Sequence, residues 1–251
     1  MKLPSSYDII GNIAVLSEKT KNSKKIAKEL LKNFKSIKTV AVKIGIHSGK
    51  YRLQKTKILS GKKTKTTFHK ENNCVFKLDI DKTYFSPRLG SERLRIAGLV
   101  KKNESVLVLF SGIAVYPINI AKHSKAKEIY AIEMNPSAHK FAEENLKLNK
   151  IENVKLFLGD VKKVLPKIKK HFNRIIMPLP GDAESYIDLA IKKLKSNGTI
   201  HFYDFQREED IPRASIEKIK KYCNPKILNV VKVGQYSPRK YRLCIDFMAK
   251  K

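Results

Sequence analysis

The segment from residue 84 to residue 95, Tyr-Phe-Ser-Pro-Arg-Leu-Gly-Ser-Glu-Arg-Leu-Arg, contains a side chain suited to binding an anion or a carbonyl oxygen. This side chain is Arg88, which keeps its positive charge at any ordinary pH. Pro87 fixes its own φ and favours an extended Ser86, so Arg88 lies in a stiffened turn. A guanidinium held in this way suits a planar acceptor such as a phosphate or the edge of a guanine. The same residues also fit an ordinary proline turn with a solvated arginine.

Glycine, acidic and proline residues follow four apolar segments further along the chain. These residues and their neighbours are Phe110, Gly112, Glu133, Met134, Asp160, Val161, Pro178 and Pro180. If the segments are parallel strands, the residues meet beyond the carboxyl ends of the strands, where doubly wound sheets bind ligands. There Gly112 permits close approach of the backbone, Glu133 can bind two ribose hydroxyls, and Asp160 can accept from an exocyclic amine. The order of these residues predicts a nucleoside pocket.

The turn after the first apolar segment lacks a complete G-x-G-x-x-G phosphate cradle, because Ala114 stands at the second glycine position. This disfavours a dinucleotide, whose pyrophosphate needs that cradle. S-adenosylmethionine has no phosphate, and needs only one close-approach glycine and the acid that binds ribose. Phe110 could flank its sulfonium or the target base. Alternatives stay open for single residues, since Glu133 and Asp160 could each cap a helix and Phe110 could pack in the core.

The elements that would position these residues alternate between strand and helix from about residue 91 onward. The early strands are apolar on both faces, which is typical of a parallel sheet covered by helices on both sides. Residues 1–90 indicate a small mixed α/β unit, in which residues 8–16 are predicted to form one strand. We therefore predict a small basic domain at residues 1–90 and a larger α/β domain at residues 91–251.

The charge of the chain favours a polyanionic partner. Lys and Arg outnumber Asp and Glu by 53 to 23 over 251 residues, which gives a formal net charge of +30. Contacts with phosphates release counterions, so a surface this positive favours nucleic acid. The alternative is a lysine-rich but merely solvated surface. The hydrophobic fraction of 42% is sufficient for a buried core and argues against disorder.

Other compositional features exclude several classes of protein. No apolar run approaches the roughly 18 residues of a membrane-spanning helix. The N-terminus lacks the apolar centre of a signal peptide. Three cysteines and six histidines are scattered without ligand spacing, which predicts no metal site and no disulfide framework. We expect a cytoplasmic protein, and a monomer, without membrane association.

Motifs spread over nearly the whole chain suggest a family. In chain order they are Tyr7-Asp-Ile-Ile-Gly11, His69-Lys-Glu-Asn72, Lys77-Leu-Asp79, Tyr84-Phe-Ser-Pro-Arg-Leu89, Ser91-Glu-Arg93, Ile132-Glu-Met-Asn-Pro136, Arg174-Ile-Ile-Met177 and Tyr236-Ser-Pro-Arg239. In these motifs the chain resembles the tRNA guanine-37 N1-methyltransferases of archaea and eukaryotes. The resemblance implies a class I, Rossmann-like methyltransferase sheet with a smaller N-terminal α/β domain that faces RNA. It also implies S-adenosyl-L-methionine as cofactor and the anticodon loop of tRNA as partner.

The resemblance also implies roles for individual residues. Arg88 would contact O6 of the target guanine, and Pro178 and Pro180 would belong to the catalytic loop. Glu133 would hold the cofactor ribose, while Asp160 with Val161 would meet its adenine. The predicted cofactor site as a whole comprises Arg93, Phe110, Gly112, Glu133, Met134, Asp160, Val161 and Pro178.

The chain departs from the family pattern in ways that bear on its substrate. Most members have Asn where this chain has Pro178, and Met177-Pro-Leu-Pro180 resembles an archaeal subgroup, some of which methylate C7 of 4-demethylwyosine. Many members carry a glutamate, proposed as the base, where this chain has Asn119 or Ile118. Members usually have an extra N-terminal domain that binds the outer corner of tRNA, and the resemblance begins here where that domain would end. We therefore expect the affinity of this chain for RNA to depend more on diffuse charge.

Three hypotheses follow for the function of the chain. The favoured one is methyl transfer to N1 of guanosine at tRNA position 37. The second is methylation of 4-demethylwyosine at C7, in addition or instead, and Pro178 motivates it. The third is a non-catalytic RNA-binding module with a degenerate methyltransferase fold, motivated by Ala114 and Asn119.

Overall fold

The computed structural model describes residues 7–250, without the side chains of residues 46–48 and 250. Its first unit is a four-stranded sheet in the order β1-β2-β3-β4, with one helix packed against it. The elements are β1 (Tyr7–Ile10), β2 (Ile13–Leu16), α1 (Ser23–Asn33), β3 (Thr39–Ser48) and β4 (Leu53–Gly61). The helix buries Ile26, Ala27 and Leu30 against the sheet. Its lysines lie on the opposite, solvated face, as the amphipathic pattern requires.

A second hairpin connects this unit to the rest of the molecule. It consists of β5 (Thr66–Glu71) and β6 (Cys74–Asp79). Phe76 and Leu78 are buried in a cluster that also contains Ile10 of the first sheet and Ile113 of the larger domain. The two parts of the chain therefore share a continuous apolar core, and a domain boundary at residue 90 stays a prediction.

The prediction of a single strand over residues 8–16 is wrong, because the chain reverses between β1 and β2. Gly11 has φ +56°, and a Cβ at this position would lie 2.2 Å from Thr67 Oγ1. The Gly11 N–H donates to His69 Nδ1 over 3.1 Å. Only glycine combines this backbone conformation with such close packing against β5, so the chain can turn at this position. The apolar residues before and after Gly11 therefore belong to two antiparallel strands.

The larger domain is built on a seven-stranded sheet in the order β12-β13-β11-β10-β7-β8-β9. Strands β7 to β11 run parallel, while β13 is antiparallel to both β11 and β12. In chain order the elements are α2 (Gly90–Leu99), β7 (Ser105–Leu109), α3 (Val115–His123), β8 (Glu128–Glu133), α4 (Pro136–Leu148), β9 (Val154–Leu158), α5 (Val161–Val164), β10 (Phe172–Met177), α6 (Ile187–Lys192), β11 (Leu194–Arg207), α7 (Arg213–Lys220), β12 (Asn224–Ser237) and β13 (Lys240–Lys250).

The topology of this sheet predicts where a ligand binds. From β7 the chain builds β8 and β9 on one side, and then returns to add β10 on the other side. Every residue of β7 is buried, because helices cover both faces of the sheet. Loops leaving β7 and β10 diverge at this switch point, and a crevice opens beyond the carboxyl ends of the strands. Within residues 7–250, no helix has the length and apolar composition needed to cross a membrane.

A buried polar network ties α2 to strands β10, β11 and β13. His201 accepts from Arg174 Nη1 at 2.7 Å through Nε2, so its Nδ1 carries the proton that bonds Asp246 Oδ1 over 2.5 Å. Arg95 donates to Asp246 Oδ2 over 2.7 Å. His201, Cys244 and Asp246 lie within 4.8 Å of one another, a spacing compatible with a metal. Arg95 already compensates the carboxylate and His201 donates to it, so the group functions as a hydrogen-bond network.

Asp246→Asn is expected to lower the free energy of unfolding by about 3 kcal/mol at neutral pH, because Arg95 and His201 lose a buried charged partner and only Glu92 still pairs with Arg95. Burial alone would raise the pKa of Asp246, but hydrogen bonds with His201 and Arg95 outweigh it and lower that pKa. Such a carboxyl stabilises the fold above its unfolded pKa of about 3.9, and this stabilisation disappears as the pH falls below that value.

Urea unfolding of both proteins from neutral pH to about pH 3 measures this effect. Stability of the native chain should fall more steeply with acid than stability of Asp246→Asn. The matched control is Asp188→Asn, which removes an exposed partner of Lys192 and should cost no more than about 0.5 kcal/mol. Parallel acid dependence in the native chain and Asp246→Asn would contradict the assignment.

Candidate active site

A cavity of about 410 Å³ opens beyond the carboxyl ends of β7 to β10. Eight of the ten predicted site residues line it, although they come from four separate strand ends. They are Phe110, Gly112, Glu133, Met134, Asp160, Val161, Pro178 and Pro180. The volume lies within the range of roughly 300–1,000 Å³ that is typical of small-molecule sites.

The turn after β7 shapes one wall of the cavity. Phe110, Gly112 and Ala114 all have positive φ, at +54°, +58° and +65° respectively. Such a conformation costs L-residues other than glycine roughly 1 kcal/mol or more, so the surrounding fold holds Phe110 and Ala114 under strain. Ala114 therefore keeps the backbone conformation that a glycine would adopt, and the missing second glycine does not abolish the turn.

Glu133, at the end of β8, is held by the backbone on both sides. Its Oε2 accepts from the Gly112 N–H over 2.7 Å, and its Oε1 accepts from the Asn135 N–H over 2.7 Å. Burial raises the pKa of Glu133, and these backbone hydrogen bonds partly oppose the rise. Each carboxylate oxygen has a second lone pair, so the group can also accept from two hydroxyls of a ligand.

Asp160, at the end of β9, both caps a helix and lines the cavity. Its Oδ1 accepts from the Lys162 N–H over 2.8 Å at the start of α5. The ring of Tyr186 meets Phe110 edge-on with centroids 4.9 Å apart, and it also lines the cavity. Burial first, and then the charge of Asp160, raise the pKa of Tyr186. Sequence reasoning missed Tyr186, because it belongs to a short 3-10 turn without a periodic signal.

The N-terminal unit supplies another wall of the cavity. Arg52, which precedes β4, donates through Nη1 to the Pro180 carbonyl over 2.8 Å, and it forms an ion pair with Asp182. Lys50 and Tyr51 also line the cavity. The unit therefore holds the loop at residues 178–180, the proline loop, from outside the large sheet. No sequence signal indicates this contact, since 128 positions separate Arg52 from Pro180.

Arg88 lies at the surface, outside the described lining of the cavity. Its side chain is 64% exposed, and its Nε donates to Asp8 Oδ1 over 2.8 Å. Asp8 also pairs with Lys43 Nζ at 3.2 Å. Exposed ion pairs contribute roughly 0–1 kcal/mol, so little energy opposes release of Arg88 from Asp8. The predicted contact with a base requires that release.

Arg93 is buried in an ion pair instead of lining the large cavity. Its Nε donates to Glu71 Oε1 over 2.6 Å, its Nη2 bonds Glu71 Oε2, and Nη2 also donates to the Ser86 carbonyl over 3.1 Å. Arg93 thus supports the turn that carries Arg88, and its predicted contact with the cofactor stays a prediction. Asn119 donates to Glu71 Oε1 over 3.2 Å and is fully buried, away from the described lining of the cavity.

The geometry defines a class of protein. A seven-stranded sheet with one antiparallel strand inserted near its edge, and a pocket with an acid at the end of the second strand, is the architecture of class I methyltransferases. Residues 67–231 match the TRM5/TYW2 methyltransferase domain, and residues 1–64 match the TYW2 N-terminal domain. The chain belongs to the TRM5/TYW2 methyltransferase family. The predicted family, fold class and enzyme class are confirmed.

Three curated relatives show how the family divides. The chain is 37% identical to the tRNA (guanine(37)-N(1))-methyltransferase Trm5b of Pyrococcus abyssi, over 98% of this chain and 75% of that protein. It is 34% identical to the tRNA (guanine(37)-N(1))/4-demethylwyosine(37)-methyltransferase Taw22 of Nanoarchaeum equitans, over 96% and 98%. It is also 34% identical to the tRNA(Phe) (4-demethylwyosine(37)-C(7)) aminocarboxypropyltransferase of Methanocaldococcus jannaschii, over 96% of each.

Solved structures agree with this placement. The crystal structure of Trm5b from Pyrococcus abyssi superposes with a TM-score of 0.89 at 35% identity, over 99% of this chain and 76% of that one. A complex of aTrm5 with tRNALeu gives 0.88 at 32% identity, over 99% and 73%. TYW2 of Methanocaldococcus jannaschii in complex with AdoMet gives 0.73 at 29% identity, over 96% and 98%.

Proposed function

We propose that this chain transfers a methyl group from S-adenosyl-L-methionine to N1 of guanosine at position 37 of tRNA. The observation that carries the proposal is Glu133, held between the Gly112 and Asn135 N–H groups at the rim of the cavity. Family membership supports the reaction, and the relatives Trm5b and Taw22 carry it in their names. A tRNA complex of a relative supports tRNA as the substrate.

The residues of the cavity fit S-adenosyl-L-methionine. Glu133 offers acceptors to a ribose diol, Asp160 offers one to an adenine amine, and Phe110 and Val161 supply apolar surface. The turn at Gly112 needs no phosphate cradle to serve such a ligand. When bound, S-adenosyl-L-methionine supplies an electrophilic methyl group on a sulfonium sulfur.

The other side chains proposed to take part in the reaction act on the target base. The target base must leave the anticodon stack to reach a pocket at this depth. As N1 loses its proton to water, negative charge develops on O6, and Arg88 released from Asp8 would stabilise that charge. Pro178 and Pro180, with their loop fixed by Arg52, would hold the base in line with the methyl donor.

A second candidate is methylation of 4-demethylwyosine at C7, in addition or instead. Two observations favour it: Taw22, whose name includes this reaction, aligns with nearly the whole chain, and by the resemblance Pro178 stands where most members have Asn. The match of residues 1–64 to the TYW2 N-terminal domain supports kinship with TYW2 and does not decide which group is transferred. Transfer of an aminocarboxypropyl group, as in the name of the Methanocaldococcus jannaschii relative, would use the same donor, and the base would attack a different carbon bonded to the sulfonium of that donor. Monomeric state and cytoplasmic location stay predictions.

Nucleoside mass spectrometry separates these reactions. The purified protein is incubated with S-adenosyl-L-methionine and with tRNA carrying either guanosine or 4-demethylwyosine at position 37. We expect 1-methylguanosine from the first substrate, and no product from a control tRNA with adenosine at that position. Modification of 4-demethylwyosine alone would replace the proposal, and the added mass would show whether a methyl or an aminocarboxypropyl group moved. A protein that S-adenosyl-L-methionine does not stabilise against heat would favour the non-catalytic RNA-binding module.

A further inference from the structure

A smaller cavity of about 60 Å³ adjoins the large one. It lies between the segment at 84–89, the turn after β7, the proline loop and the start of β13. The two cavities share six lining residues, which are Tyr84, Phe110, Gly112, Pro178, Pro180 and Arg242. A ligand group in the smaller cavity would therefore contact the same turn and loop that shape the cofactor site. This position suits the part of a substrate that reacts with the cofactor.

Two polar atoms in the lining of the smaller cavity lack a hydrogen-bond partner among the described residues. They are Ser111 Oγ and Arg242 Nε, and both are shielded from solvent. Ser111 is only 4% exposed. Leaving a buried polar group unpaired costs roughly 1–3 kcal/mol, so such groups are rare in native proteins, and a cavity lined by two of them can receive a polar partner from outside the chain. A donor and a hydroxyl on two residues that line one cavity suit a polar ligand group.

The guanidinium of Arg242 is held in place from two sides. Its Nη2 donates to Tyr84 Oη over 2.9 Å, and its central carbon lies 5.4 Å from the ring centroid of Phe205. Its backbone is paired with Phe205 on β11 and Gly234 on β12. The side chain therefore loses little rotamer freedom when a ligand binds. Arg88 differs in each respect, since it is exposed, pairs with Asp8 and lies outside the described lining of both cavities.

We propose that Arg242 reads the edge of the target guanine that carries N7 and O6, and that Ser111 contacts the same base. This inference rests on the proposed function. An arginine fork that donates to N7 and O6 is the commonest way in which proteins recognise guanine, and here Nε and the second Nη2 hydrogen are the available donors. Arg242 positions the base, while Arg88 would act on the charge that develops during the reaction.

Removing N7 from the substrate tests this contact directly. Anticodon stem-loops carrying guanosine or 7-deazaguanosine at position 37 are compared with the native protein and with Arg242→Met. Native kcat/KM should fall roughly tenfold on loss of N7. Arg242→Met should lose roughly ten- to one-hundredfold on guanosine and should no longer distinguish the two substrates. A purely structural role of Arg242 would leave the preference for N7 unchanged.

Two further variants separate base recognition from charge and from folding. Arg239→Met removes the same charge from the exposed turn between β12 and β13, and it should keep the native preference for N7. Arg242→Lys keeps the charge but not the planar fork, and it should not restore that preference. Thermal unfolding and calorimetry with S-adenosyl-L-methionine establish that each variant is folded and binds cofactor.

Binding measurements test the contact between Arg242 and the guanine without requiring that methyl transfer takes place. Fluorescence anisotropy of labelled stem-loops in the presence of S-adenosylhomocysteine should show the same dependence on N7 and on Arg242. If the native protein shows this preference but forms no 1-methylguanosine, the proposed function fails and the base subsite stands. A native protein that binds and methylates both stem-loops equally well, or an Arg242→Met variant that still prefers N7, would overturn the inference.

Discussion

Replacing Arg88 with alanine is expected to lower the rate of methyl transfer by about a hundredfold or more, while affinity for S-adenosyl-L-methionine stays unchanged. A donor that stabilises a developing oxyanion is worth roughly 3 kcal/mol, which corresponds to that factor in rate. Cofactor affinity should not respond, because Arg88 lies outside the described lining of the cofactor cavity. Single-turnover methylation of guanosine-37 tRNA measures the first quantity, and calorimetry measures the second.

The ion pair between Arg88 and Asp8 supplies a companion test. Asp8→Asn releases Arg88 from its surface contact, which contributes no more than about 1 kcal/mol. We expect this variant to methylate at the native rate or faster. Arg207→Ala, at a similarly exposed arginine paired with Glu209, is the matched control for loss of one surface charge. Near-native turnover in Arg88→Ala would refute the role of Arg88, whereas equal losses in Arg88→Ala and Arg207→Ala would reduce that role to general attraction of RNA.

Glu133→Ala is expected to weaken binding of S-adenosyl-L-methionine by about a hundredfold or more. The variant would lose two hydrogen bonds from a charged acceptor, each worth roughly 1.5–3 kcal/mol. Gly112 and Asn135 would also lose the acceptor that orients their N–H groups. Calorimetry with S-adenosyl-L-methionine measures the loss, and Glu143→Ala, at an exposed glutamate on α4, is the control that should bind normally.

Cofactor affinity should also depend on pH through Glu133. Burial raises the pKa of this carboxyl, so it takes up a proton at a higher pH than an exposed glutamate, whose pKa is about 4.3. The ionised form is the stronger acceptor for ribose hydroxyls, and affinity should therefore fall as the pH drops through the raised pKa. Glu133→Ala should lack this acid limb. An unchanged affinity in the variant, or identical pH profiles, would show that another residue holds the ribose.

The positions of most candidate site residues could be predicted because they follow from local patterns. Apolar strands in a parallel sheet are recognisable in sequence, and the residues after their carboxyl ends must meet at one edge. Gly112, Glu133, Asp160 and Pro178 line one cavity for this reason. Local conformation was harder to predict where a residue breaks its usual preference. Ala114 adopts the left-handed backbone expected of glycine, and no pattern of apolar residues reveals the reversal at Gly11.

Local sequence patterns do not predict contacts between segments that are distant in the chain. Arg52 reaches the proline loop across 128 positions, and Arg242 reaches Tyr84 across 158. Such contacts depend on how the whole chain packs. The local sequence around one partner does not specify which distant segment will pack against it.

The amino-acid sequence alone therefore determined the methyltransferase sheet, the family and the edge of the sheet where the cofactor would bind. It also indicated that arginines act near that edge. Only the tertiary structure decided which arginines line the cavities and which do not. Arg88 is drawn outward by Asp8, 80 positions away in the chain, while Arg242 is held inward between Tyr84 and Phe205. The direction of a long, charged side chain depends on the partners that folding brings within reach, and its own neighbours in sequence do not specify them.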